Sequence, residues 1–162
     1  MSYDSINNRF SNAVHVINAS CTTQTNATTT GLEVYGSRVT LNPGEAQDGL
    51  TFRWNVAGTK TGTNAAHTLS LYSTLSGTPL MTLTADDNTQ VDWTAEFILR
   101  CYGGAVQKVM GTMASKTTDC ECDYAAGTAG LKNGAELYLA VAAGHTSDSV
   151  TTEMCVTEAW VK

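Results

Sequence analysis

The chain has 162 residues, 42% of them apolar, and carries a formal charge of −6 at neutral pH with an isoelectric point near 4.8. Its nine basic residues are scattered and no two adjoin, which argues against a nucleic-acid partner, because gripping phosphates needs clustered Lys and Arg. No stretch reaches the ~18 consecutive apolar residues of a membrane-spanning helix, so neither nucleic acid nor membrane is an expected partner.

Charged residues make up 15% of the chain, against a usual share of about 25%. Threonine, valine, leucine and tyrosine recur, which favours pleated, half-buried strands. Residues 1–31 differ from the rest. They are rich in Asn, Ser and Thr, with one short apolar patch from Ala13 to Ile17, and read as an N-terminal arm that orders on a neighbour or stays loose. The first twenty residues lack a basic stretch followed by an apolar one, so no secretory leader is expected. The triplets Asn18-Ala19-Ser20 and Asn26-Ala27-Thr28 then carry no expectation of glycosylation.

From Leu32 the pattern is β. LEVYGSRVTL (32–41) reads as one strand, and NPGEAQDG (42–49) as a turn. LTFRWNV (50–56) alternates, with Leu50, Phe52, Trp54 and Val56 on one face. AGTKTGTNA (57–65) reads as a loop. HTLSLYS (67–73) follows with Leu69 and Leu71 inward, then a turn at SGTP (76–79) and a short strand at PLMTLT (79–84). After a polar connection, DWTAEFILRCY (92–102) is the longest alternation, with Trp93, Ala95, Phe97, Leu99 and Cys101 on one side. Gly103-Gly104 predicts a tight hairpin turn before AVQKVMGTMAS (105–115). TTDCECDY (117–124) reads as strand or edge and AAGTAGLKNGA (125–135) as loop. ELYLAVAA (136–143) places Leu137, Leu139 and Val141 on one face, and VTTEMCVTEAWVK (150–162) closes the chain as a strand. About eight to ten strands at 8–12-residue spacing, with no convincing helix, predict an all-β antiparallel sandwich of jelly-roll type over residues 32–162.

The segments FRWNVAGTKTGTNAAHTLSLY, DWTAEFILRCYG, VQKVMGTM, NGAELYLAVAA and VTTEMCVTEAWV, in that order, resemble the jelly-roll domain of accessory virion proteins of tailed bacteriophages. The resemblance implies a non-enzymatic homotrimer that decorates or cements a capsid or neck. Its partners would be its own copies and major capsid or neck proteins, its location the virion, and it would carry no catalytic residues and no cofactor. The alternative within the same class is a receptor- or carbohydrate-binding module of a head or tail fibre.

Searching the residues for chemistry returns little. The phosphate-loop, dinucleotide, zincin and nucleophile-elbow motifs are missing. His145, Ser147 and Asp148 adjoin, but a triad needs groups converging from different parts of a fold. Asp86, Asn88, Gln90 and Asp92 alternate like Ca²⁺ ligands, yet the glycine and the bidentate glutamate of such a loop are replaced by Val91 and Phe97. Trp54, Trp93 and Trp160 fall on apolar strand phases and are expected in the core rather than on a sugar platform.

Five cysteines remain: Cys21, Cys101, Cys120, Cys122 and Cys155. C-x-C with distant partners suits neither a zinc site nor a thiol–disulfide catalyst. In a strand, Cys120 and Cys122 share a face ~6.6 Å apart, which disfavours a bond between them. The expectation is that they face outward as cross-linking points, with Cys21 in the arm and Cys155 and Cys101 as further candidates. An odd count leaves one thiol free or bonded across chains, after release from a reducing cytoplasm.

Overall fold

A computed structural model describes residues 13–63, 65–85, 90–102, 106–115, 120–127 and 130–161. Twelve strands form two antiparallel sheets packed face to face, and one 3₁₀ turn (Leu131–Asn133) is the sole helical element among the described residues. The strands are β1 (His15–Ser20), β2 (Gln24–Asn26), β3 (Leu32–Glu33), β4 (Val39–Leu41), β5 (Leu50–Thr61) and β6 (Thr68–Ser73). They continue with β7 (Met81–Thr84), β8 (Gln90–Tyr102), β9 (Val106–Ser115), β10 (Cys120–Gly127), β11 (Ala135–Ala142) and β12 (Ser149–Val161). The larger sheet runs β1-β12-β5-β8-β9-β10, with β2 also on β12. The smaller runs β3-β11-β6-β7, with β4 also on β11.

The chain crosses between sheets at each of the connections β2–β3, β4–β5, β5–β6, β7–β8, β10–β11 and β11–β12. Strands joined by these connections lie in opposite sheets, and β12 and β11 insert as neighbours of β5 and β6. The core is the sum of the inward phases. Leu50, Phe52, Trp54 and Val56 of β5, and Trp93, Phe97 and Leu99 of β8, meet Leu69 and Leu71 of β6, Leu83 of β7, and Leu137, Leu139 and Val141 of β11. Each fully buried aliphatic or aromatic side chain contributes about 1.5–3 kcal/mol by leaving water. The alternation expected for β5, β6, β8 and β11 is the one observed.

Four stretches differ from their sequence reading. Residues 32–41 form two short strands, because Gly36 adopts φ 81 and Ser37 turns inward. There the Ser37 hydroxyl donates to Val34 O at 2.7 Å and accepts from Leu139 N at 3.0 Å, replacing ladder bonds that one continuous strand would have made. The supposed loop 57–65 continues β5 to Thr61, since β12 and β8 pair it on both sides: Lys60 faces Val150 on one and Val91 on the other. Gly58 permits this close approach. A Cβ there would sit 2.0 Å from Thr151 O and 2.8 Å from the Trp93 ring. Gly58→Ala is therefore expected to destabilise by about 3 kcal/mol, at the upper end for overpacking, and chemical denaturation will read this as a lower midpoint at unchanged slope.

The third stretch is the presumed arm. Within residues 1–31, β1 and β2 belong to the larger sheet and pair with β12 of the same chain: His15 opposes Ala159 and Asn26 opposes Val150. The fourth is 125–135, where Ala125 to Gly127 extend β10 and Leu131 anchors the 3₁₀ turn in the core. Trp160 also departs from expectation. It is half-buried on the outer face beneath the Arg53 guanidinium, 5.6 Å from the ring centre, because Cys155, Thr157 and Ala159 take the inward phase of β12.

Candidate functional site

At one end of the sandwich the strand phases bring three ionisable side chains together inside the protein. Lys60 lies on the inward phase of β5, two residues beyond Gly58. His67 leads into β6 on the phase of Leu69 and Leu71. Asp148 immediately precedes β12. All three are shielded from solvent. Lys60 Nζ lies 3.8 Å from Asp148 Oδ2 and donates to Thr63 O at 2.6 Å. The Thr63 backbone N–H donates to Asp148 Oδ1. The His67 ring packs on Trp93 with centroids 5.3 Å apart and planes tilted by 52°. Both His67 nitrogens, Trp93 Nε1 and Asp148 Oδ2 lack a hydrogen-bond partner among the described residues.

The electrostatics follow from burial. Desolvation, and after it the Lys60 cation, push the His67 imidazole down to about 4, so it is neutral at pH 7. The Thr63 N–H holds the Asp148 carboxyl below the usual carboxylate range against the opposing effect of burial, and Lys60 adds to this. The cluster ties together the end of β5, the entry to β6 and the entry to β12. Its shielding leaves it no contact with an external substrate in this conformation.

His145, Ser147 and Asp148 do not converge. The Ser147 backbone N–H donates to His145 Nδ1 at 3.1 Å on the exposed turn, while Asp148 points inward. Of the alternating polar run, residues 86–89 lie outside the described residues, Gln90 opens β8, and Asp92 is exposed on that strand. Among the described residues no His, Cys, Asp and Glu side chains group as a metal site. The Asn26 side chain donates to Val141 O at 2.7 Å and to Thr30 O at 2.8 Å and is buried, so its triplet presents no acceptor for a glycan in the folded chain.

Two surface features accompany the buried cluster. On the outer face of the smaller sheet, Tyr72 and Tyr138 are cross-strand partners whose rings stack at 5.5 Å and 12°. Arg38 lies 5.0 Å over Tyr138 and is ion-paired to Glu33 and Glu136. On the outer face of the larger sheet, one rung runs Met154, Ala57, Thr94 and Ala114, and the next runs Val156, Asn55, Glu96 and Thr112. These rungs line a shallow depression of about 280 Å³, bordered by Met154 (41% exposed) and, one rung further, Met110 (43%).

The five cysteines separate into three groups. Cys21 is exposed between β1 and β2, as a free thiol. Cys101 and Cys155 are free, fully buried core groups, and burial pushes each thiol up to about 12. Cys155 opposes Val56 and Cys101 lies one residue beyond the Thr51–Arg100 pair, so they stand six rungs apart on β5, ~20 Å at strand spacing. They cannot bond each other, nor reach a second chain while the domain is folded. Register places Cys120 opposite Ala114 and Cys122 opposite Thr112, at the ends of the two rungs named above. Their thiols lie outside the described residues. Native alkylation followed by peptide mapping is expected to modify Cys21 within minutes and to leave Cys101 and Cys155 unmodified until denaturant is added, because the thiolate is the reactive form.

The sequence matches no known family model and no curated protein.

Proposed function

We propose that this chain is a non-enzymatic structural protein of a virion, of the jelly-roll accessory kind found in tailed bacteriophages, and that it decorates or cements a capsid or neck as a homotrimer. The supporting observation is the strand order. β1-β12-β5-β8 faces a sheet of β3 and β4, then β11-β6-β7. This order supports a jelly-roll reading, in which the last two strands insert beside the middle pair and β9 and β10 are an added extension. The contact surface is the outer face of the larger sheet, where Met154 and Met110 are exposed beside the depression and Tyr102 is exposed further along β8. Cross-links between copies, where they form, use Cys21 with Cys120 or Cys122, and not Cys101 or Cys155.

Sedimentation equilibrium tests the assembly. The expected mass is that of three chains, and Met154→Glu is expected to return it to one. A single-chain mass for the unmodified protein at tens of micromolar removes the trimer. Non-reducing against reducing gels of purified particles test the cross-links, with equal monomer mobility in both as the contrary result. One observation favours a second reading, a glycan- or receptor-binding module: the Tyr72–Tyr138 stack on the opposite face. A glycan array probed with the unmodified protein and with Tyr138→Ala separates the two, since only the second reading expects binding that the substitution abolishes.

A further inference from the structure

We propose that Lys60 and Asp148 condense into an intramolecular isopeptide bond that fastens the end of β5 to the start of β12. Lys60 Nζ and Asp148 Oδ2 face each other at 3.8 Å inside the protein, and Oδ2 has no hydrogen-bond partner among the described residues. The other carboxyl oxygen, Oδ1, accepts from the Thr63 N–H, while the Thr63 carbonyl holds Nζ at 2.6 Å. One residue of the β5–β6 connection thus orients both reacting groups. Gly62 makes room for this, because a Cβ there would stand 2.4 Å from Asp148 Oδ1.

The step balances without an oxidant or a co-reactant. The Nζ–Cγ bond forms and the Cγ–Oδ2 bond breaks. The ammonium gives up two protons, both of which leave with Oδ2 as water, and nothing is oxidised or reduced. While the tetrahedral intermediate exists, its negative oxygen is Oδ1, which already receives the Thr63 N–H in the manner of an oxyanion hole. The imidazole of His67, with both nitrogens unpartnered among the described residues and within electrostatic reach of both groups, carries the proton between them. Burial supplies the drive. Two opposite charges removed from water are replaced by one neutral amide, which is far less costly to keep inside a protein. The surrounding core, with Trp93 against His67, keeps out the water that would reverse the reaction.

Intact-mass spectrometry of the full chain under denaturing conditions tests the bond. The unmodified protein is expected to fall short of its sequence mass by one water. Trypsin is expected to yield a branched fragment, uncut at Lys60, that joins the stretch around Lys60 to the stretch around Asp148. Lys60→Arg and Asp148→Ala are each expected to show their own full sequence masses, and Asp148→Asn to lose ammonia in place of water. Chain made by chemical synthesis and held in strong denaturant, so that it has never folded, is expected to keep the full mass and to lose the water on refolding. A full sequence mass for the folded, unmodified protein overturns the proposal. So does a missing water that maps elsewhere, such as a succinimide at Asp48-Gly49, or one that persists in Lys60→Arg.

Discussion

Lowering the pH from 7 to 4 is expected to cost the fold about 3 kcal/mol through His67 alone. The imidazole titrates at 6.5 in an unfolded chain and at about 4 here, and each unit of difference is worth about 1.4 kcal/mol. The folded chain binds the proton less readily than the unfolded one. The contribution is therefore fully present above pH 6.5, declines as the pH falls through the window from 6.5 to 4, and is flat below it. Urea midpoints measured at intervals across that window should fall steadily. His67→Phe, which keeps a ring against Trp93 but has no proton to bind, should flatten that limb. Asp148 acts in a separate, lower window. Its folded value lies below the ordinary one, so its contribution is present above the unfolded carboxylate range and lost only at more acid pH. A chain bonded between Lys60 and Asp148 lacks that lower step but keeps the His67 step, whose first cause is burial.

The same cluster marks the boundary of what the sequence made legible. Alternation revealed the core, because period-2 burial is written directly in runs such as LTFRWNV and DWTAEFILRCY, and those phases are the observed ones. The phase of LTFRWNV continues through Gly58 to Lys60, and that of HTLSLYS includes His67. Both signals were present, but a glycine- and threonine-rich composition reads as loop, and here pairing on both sides of β5 overrode it. Asp148 stands next to His145 and Ser147 in sequence, an adjacency that reads as a turn. Its actual partners come from an element 88 positions away, a relation that only sheet topology supplies. The Tyr72–Tyr138 pair is not legible in the sequence for a similar reason: each lies on the outward phase of its own strand, and their meeting depends on β11 inserting beside β6. The cysteines divide on the same principle. The phase of β8 sets Cys101 beside Phe97 and Leu99, which leaves a buried thiol and a cross-linking point both open, and its burial in the sandwich decides for the core. The depth of Cys155 became plain only once β1, β2 and β5 were seen to cover β12 from both edges.

Trp54→Ala is expected to be the most damaging single core truncation, with a loss of about 3–5 kcal/mol. Trp54 is fully buried at the centre of β5, packs on Phe52 with centroids 5.9 Å apart, and donates through Nε1 to Ser37 O at 2.8 Å. Two components are separable. Trp54→Phe retains a buried ring but leaves the Ser37 carbonyl without its donor, and should cost about 1–3 kcal/mol. Ser37→Ala removes the hydroxyl that serves Val34 O and Leu139 N and should cost a similar amount, because a buried N–H then goes unpaired. Both substitutions act on the bend that splits β3 from β4, so they should not add. Once one has loosened the bend, the other has less left to remove, and a double-mutant cycle should give a coupling of about 0.5–3 kcal/mol. Strict additivity would mean that Trp54 stabilises the sandwich by packing alone. A clear coupling would mean that the indole of the larger sheet also fixes the path of the smaller sheet's first two strands, which is how a strand pattern broken at Gly36 still delivers β4 to its register on β11.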